Sequence, residues 1–157
     1  MRAVVLVVVL LVALAAPLGV TAQRGAYVAY LSAAEQVPPN RSTAGGMASF
    51  ELTAAGLRYW LVFDNITNLQ MAHIHIAPPG QNGPIAVWLY PPAPPARLIS
   101  GATSGVLQDG LITNANLTGP LQGRTIRDLI AAIEAGNAYV NAHTTAFPGG
   151  EIRGQIR

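Results

Sequence analysis

Residues 57–63, Leu-Arg-Tyr-Trp-Leu-Val-Phe, carry the clearest fold signal in this chain of 157 residues. Successive side chains of a β-strand point to opposite faces, so residues two apart share a face. Four apolar side chains therefore share one face of this segment: Leu57, Tyr59, Leu61 and Phe63. Alternation of this kind over four to eight residues is typical of a half-buried strand. The segment predicts a strand with one face packed on a core.

Strand-like segments recur on both sides of this one, and turns that contain Gly or Pro separate most of them. We predict strands at residues 27–31, 47–52, 71–77 and 85–90, from weaker patterns at 104–107 and 111–117, and in a C-terminal hairpin that joins 138–144 to 151–156. Eight or nine short strands with regular turns indicate an all-β domain with antiparallel pairing. We expect a single domain over residues 26–157, built as an immunoglobulin-like β-sandwich or as a small barrel.

Only one segment changes to the helical period. Its apolar side chains recur with helical spacing, at Ile126, Leu129, Ile130 and Ile133. Thr125 is suited to cap the start of this helix, with Asp128 three residues later, and Gly136 is suited to end it. We therefore predict one short helix.

Alternation also predicts which side chains form the core. Nine are expected to be largely buried: Phe50, Leu52, Leu61, Phe63, Ile74, Ile76, Val140, Ile152 and Ile156.

Residues 1–22 read as a signal peptide. Arg2 gives a positive start, residues 3–16 form an unbroken apolar run, and small residues at 20–22 precede Gln23. The run is shorter than the roughly 20 residues of a membrane-spanning helix. We expect cleavage before Gln23, a secreted or periplasmic protein, and no stable membrane insertion after cleavage.

The charge is low and evenly signed. Nine basic residues, all Arg, stand against seven acidic ones, and loss of Arg2 with the leader leaves a net charge of +1. Nucleic-acid binding through a basic patch is therefore not expected.

The sequence matches no catalytic template. It contains no Cys, which excludes disulfides, a thiol nucleophile and a Cys-based zinc site. It also lacks Gly-x-Ser-x-Gly, a phosphate-binding loop and His-Glu-x-x-His. We expect a protein that is not an enzyme.

The three histidines fall into two motifs. His73 and His75 lie in the segment 72–76, Ala-His-Ile-His-Ile, and His143 lies in 141–144, Asn-Ala-His-Thr. His73 and His75 share a face of their strand because they are two residues apart. In the C-terminal hairpin the same alternation directs these residues outward: Tyr139, Asn141, His143, Glu151, Arg153 and Gln155. If the two regions are neighbours in one sheet, three imidazoles and a carboxylate gather on one outer surface.

Three neutral imidazoles with an open position form a ligand set for zinc or copper. Met71, on the same face as His73, would favour copper as a soft ligand, and Glu151 is a further candidate ligand. The alternative interpretation is that the histidines only form hydrogen bonds with neighbouring loops or lie on the surface by chance.

Taken together, these motifs resemble the CHRD domain family, the module named after chordin. The resemblance covers residues 26–157 and rests on six segments: 33–39 (Ala-Ala-Glu-Gln-Val-Pro-Pro), 44–48 (Ala-Gly-Gly-Met-Ala), 72–75 (Ala-His-Ile-His), 83–84 (Gly-Pro), 139–144 (Tyr-Val-Asn-Ala-His-Thr) and 147–156 (Phe-Pro-Gly-Gly-Glu-Ile-Arg-Gly-Gln-Ile). It implies an extracellular β-sandwich and no particular activity.

Two hypotheses for the function follow. The first is a secreted, non-enzymatic CHRD module that binds an extracellular protein or surface ligand or has a structural role. The second is a module that binds copper or zinc through His73, His75 and His143.

Overall fold

The computed structural model describes residues 25–157, so the predicted signal peptide at 1–22 lies outside the described residues. In chain order the elements are β1 (Ala26–Ser32), β2 (Gly45–Thr53), β3 (Gly56–Ile76), β4 (Ile85–Tyr90), β5 (Ile99–Ile112), α1 (Ile126–Glu134), β6 (Ala138–Thr144) and β7 (Ile152–Gln155). Single turns of 3-10 helix lie at Ala33–Glu35, Asn114–Asn116 and Gly119–Leu121.

Five antiparallel strands close into a barrel. The strand order is β2-β1-β7-β6-β3, and β3 pairs back with β2 to close the ring. β4 and β5 add to the sheet outside this ring, each by pairing with β3. The prediction of a mostly antiparallel β fold with one short α-helix is confirmed for residues 25–157. Of the two predicted architectures the pairings form the small barrel, and an immunoglobulin-like sandwich is not confirmed.

β3 differs from the sequence prediction. We expected two strands, at 57–63 and 71–77, but the structure has one strand of 21 residues. Asn65 and Asn68 adopt positive φ values of 53° and 55°, a conformation that Asn tolerates better than most residues. The intervening stretch, which the sequence prediction left unassigned, continues to pair with β5, with shifts in register. The first half of β3 therefore pairs with β2 and the second half with β6.

The barrel interior forms the core. Seven of the nine predicted core side chains are buried: Phe50, Leu61, Phe63, Ile74, Val140, Ile152 and Ile156. Leu52 and Ile76 are only partly buried and pack against this core. The facing assignment from period-2 alternation is therefore confirmed on the interior side of the strands.

α1 packs its apolar face on the core through Leu129, Ile130 and Ile133. The predicted capping box forms, since the Asp128 carboxylate accepts hydrogen bonds from the backbone N–H and the hydroxyl of Thr125. Between residues 25 and 157, no helix is both long enough and apolar enough to cross a bilayer.

Candidate metal centre

Two paired strands, β3 and β6, supply the three histidines. In their antiparallel register Met71 lies opposite His143, His73 opposite Asn141, and His75 opposite Tyr139. His143 is thus a diagonal neighbour of His73, and long side chains reach across such a diagonal. The strand adjacency that the sequence left open is present.

The three rings converge. One ring nitrogen from each of His73, His75 and His143 lies within 4.8 Å of the others. The closest approach joins Nδ1 of His73 and Nε2 of His143 at 3.3 Å. The ring centroid of His75 lies 5.6 Å from that of His73 and 6.0 Å from that of His143.

The cluster is buried, whereas the sequence predicted an outer surface. His73 is fully buried, and His75 and His143 are each 7% exposed. The rings lie on the opposite strand face from the barrel core, as expected, but loops cover that face. Residues 77–84 and 145–150 contact the histidines through the carbonyls of Gly83 and Pro148. Alternation identifies the face of a strand and carries no information on which loop folds over it.

Backbone carbonyls fix the tautomers of two histidines. Nδ1 of His75 donates to the Gly83 carbonyl at 2.9 Å, and Nδ1 of His143 donates to the Pro148 carbonyl at 3.0 Å. A carbonyl oxygen only accepts, so these Nδ1 atoms carry the proton and Nε2 keeps its lone pair. This arrangement is typical of metal-binding histidines, whose second nitrogen donates to a carbonyl or carboxylate.

The tautomer of His73 follows from that of His143. Because Nε2 of His143 has no proton, the 3.3 Å contact requires Nδ1 of His73 to donate, which leaves Nε2 of His73 unprotonated. The Nε2 atoms of His73 and His75 are buried and have no hydrogen-bond partner among residues 25–157. An unsatisfied buried polar atom costs about 1–3 kcal/mol, so such an atom needs an explanation.

Burial keeps all three rings neutral. Desolvation lowers the pKa of His73 to about 3, with smaller contributions from the charges of His143 and His75. Desolvation likewise lowers the pKa of His75 to about 4, although its bond to Gly83 acts in the opposite direction. It also lowers the pKa of His143. Neutral imidazole is the form that binds metals, so the cluster is ready to bind one at neutral pH.

The two further candidate ligands, Met71 and Glu151, differ in their position relative to the three histidines. Met71 is half-buried and lies directly opposite His143 in the strand register. Glu151 is buried and outside the cluster of ligand atoms, and its two carboxylate oxygens accept hydrogen bonds from the hydroxyls of Ser42 and Thr144. Glu151 therefore joins the loop before β2 to β6 and is not one of the converging groups.

Three residues around the cluster were not predicted as part of it. The ring of Trp88 meets the His73 ring edge-on, with centroids 4.3 Å apart. Tyr139 stacks on His75 at 4.9 Å, and the guanidinium of Arg153 lies 3.5 Å from the centroid of Tyr139. Tyr139 could have been predicted as a neighbour of the cluster, because alternation places it on the same strand face as His143. Arg153 lies on the predicted strand face, opposite Asn141, but it is only 2% exposed, whereas the sequence predicted an outer surface.

Comparison with known proteins gives the family. No curated protein and no solved structure matches the chain. The family model of the CHRD domain matches residues 27–156, which is most of the sequence and includes every residue of the histidine cluster. The chain therefore belongs to the CHRD domain family.

Proposed function

We propose that this protein is an exported, non-enzymatic CHRD module that binds one transition-metal ion, zinc or copper, through His73, His75 and His143. The observation that carries the proposal is the convergence of three buried, neutral imidazoles, two of which have their Nδ1 protons fixed by backbone carbonyls. Packing alone would not require ring nitrogens of three buried, neutral histidines to lie this close together.

The spacing suits a metal ion. Zn–N bonds of about 2.0–2.1 Å in tetrahedral geometry place two ligand nitrogens roughly 3.3–3.4 Å apart. Nδ1 of His73 and Nε2 of His143 already have this spacing, at 3.3 Å, and Nδ1 of His73 becomes a ligand once its proton has moved to Nε2 of the same ring. The ligand atoms of all three histidines lie within 4.8 Å of one another, so the set has to draw together by up to about 1.4 Å on binding to reach tetrahedral spacing.

The donor set favours late transition metals over calcium or magnesium. Calcium and magnesium prefer oxygen ligands, whereas imidazole suits zinc and copper. The one nearby carboxylate, that of Glu151, is occupied by two hydroxyls. We assign the bound ion a binding or structural role, because the sequence contains none of the catalytic motifs named above.

Location and partner form the second part of the proposal. The leader-like residues 1–22 and membership of the CHRD family support an extracellular or periplasmic location. There the module binds an extracellular protein or surface ligand.

Metal titration tests the proposal directly. Purified protein is titrated with Zn²⁺ and with Cu²⁺ by calorimetry, and Trp88 fluorescence is followed in a Trp60→Phe background, which leaves Trp88 as the single tryptophan. Because Trp88 contacts His73, Cu²⁺ at the cluster should quench its emission. We expect one ion per chain.

Variants identify the ligands. His73→Gln, His75→Gln and His143→Gln should each weaken binding at least tenfold, while Thr67→Ala, an exposed site on the same strand, should not. If the wild-type protein binds neither ion stoichiometrically, the histidines have only a structural role and the metal-free binding or structural module is the correct interpretation.

A further inference from the structure

Arg153 is a buried cation without a carboxylate in its hydrogen bonds. Its side chain is 2% exposed, and its guanidinium donates to the Gln81 carbonyl at 2.8 Å and to Oδ1 of Asn82 at 3.2 Å. The guanidinium also lies over the Tyr139 ring. Burying a charge is costly unless hydrogen bonds satisfy it, and both bonds here go to one loop.

That loop touches the histidine cluster at the next residue. Gly83 follows Gln81 and Asn82, and its carbonyl accepts the Nδ1 proton of His75 at 2.9 Å. Its N–H donates to the hydroxyl of Tyr139 at 3.1 Å. The two residues bonded by Arg153 therefore lead directly to the group that fixes the His75 tautomer.

The loop also packs closely on the end of β3. A Cβ atom at Gly83 would collide with the carbonyl oxygen of Ile76, so the backbone approaches too closely for any side chain. The Gly83 carbonyl thus depends on accurate placement of its loop.

A ring stack forms a second connection from Arg153 to the cluster. The guanidinium of Arg153 lies over one side of the Tyr139 ring. The same ring stacks on His75, with an angle of 9° between the ring planes. Arg153 therefore contacts the surroundings of His75 both through the loop and through this ring.

We propose that Arg153 is a positioning residue of the metal centre: it holds residues 81–83 so that the Gly83 carbonyl keeps His75 protonated on Nδ1. Nε2 of His75 then presents its lone pair to the other two histidines. The effect on metal binding rests on the proposed function, but the effect on the tautomer does not.

Nitrogen NMR of the metal-free protein tests the tautomer. The chain has only three histidines, so long-range ¹H–¹⁵N spectra contain three ring systems, and a His75→Gln spectrum assigns His75. In the wild-type protein we expect His75 to be the Nδ1–H tautomer alone. In Arg153→Met, which keeps an apolar stem in a buried position, we expect a mixture of both tautomers.

Two further variants make the result specific. Arg153→Lys keeps the charge, but an ammonium lacks the fork that reaches two acceptors, so it should also lower the Nδ1–H population. Arg58→Gln removes an exposed arginine that lies 5.5 Å from the Trp60 ring, away from the cluster, and should change nothing.

Metal affinity provides the second readout. The Arg153 variants should bind Zn²⁺ about 10–100-fold more weakly than the wild type, as expected for loss of support behind a metal ligand. If folded Arg153→Met or Arg153→Lys retains a pure Nδ1–H tautomer, the proposal is wrong. If the tautomer changes but the wild-type protein binds no metal, the positioning role stands and the proposed metal function fails.

Discussion

Nδ1 of His73 lies 3.3 Å from Nε2 of His143, although 70 positions separate the two residues in the chain. The contact exists because β3 and β6 are antiparallel neighbours, with His143 one diagonal step from His73. Without a metal this contact is a hydrogen bond that His73 donates to His143. With a metal the same distance matches the spacing of two ligands on one ion, once the proton of His73 has moved from Nδ1 to Nε2. The cluster therefore serves both states with little movement of this pair.

The free energy of unfolding should fall as the pH is lowered from about 6.5 towards 4. The pKa values of His73 and His75 are lowered by burial to about 3 and about 4, so in this range the unfolded chain takes up protons that the folded protein does not. Each such histidine removes up to about 1.4 kcal/mol of stability per pH unit. Urea unfolding at pH 7.5 and at pH 5 measures the loss. A His73→Gln variant should show a smaller pH dependence, and equal stability at both pH values in the wild type would contradict the expectation.

Val140→Asp should abolish folding. Val140 is fully buried on the interior face of β6, and an unpaired carboxylate there costs far more than a marginally stable domain can lose. The matched control is Val106→Asp on β5, where the side chain is 70% exposed and the loss should stay near 1 kcal/mol or less. Thermal melting followed by circular dichroism compares the two. A Val140→Asp protein that melts near the wild type would show that the interior face is misassigned.

Glu151→Ala should lower stability without changing metal affinity. The substitution removes the acceptor of two hydroxyls, those of Ser42 and Thr144, and leaving such groups unsatisfied costs about 1–3 kcal/mol. Because Glu151 lies outside the converging group, the dissociation constant for Zn²⁺ should equal that of the wild type. The exposed Glu51→Ala serves as the control for loss of a carboxylate. A large loss of zinc affinity in folded Glu151→Ala would restore Glu151 as a ligand.

Met71→Leu should discriminate between the two metals. Met71 lies opposite His143, and a thioether is a soft ligand that suits Cu(I) and not Zn²⁺. Leucine has nearly the same volume, so the fold should be retained. Competition titrations should show weaker Cu(I) binding and unchanged Zn²⁺ binding. Equal effects on both metals would remove Met71 from the ligand set.

Features that depend on local periodicity could be predicted from the amino-acid sequence. The alternation at 57–63 assigned Leu61 and Phe63 to the core, and the helical spacing with Thr125 and Asp128 identified α1 with its capping box. The two-residue spacing also placed His73 and His75 on one face. Each of these follows from backbone geometry within one segment, which the order of residues specifies directly.

Which segments meet, and which loops cover them, could not be predicted from the sequence and is seen in the folded chain. β3 runs on through Asn65 and Asn68, where the sequence prediction left a gap between two strands, because pairing with β5 continues along this stretch. The histidine face is buried, and Arg153 with it, because the carbonyls of Gly83 and Pro148 reach that face from separate loops. Such contacts join groups far apart in the chain, and their formation depends on the closure of the barrel, which no local pattern encodes.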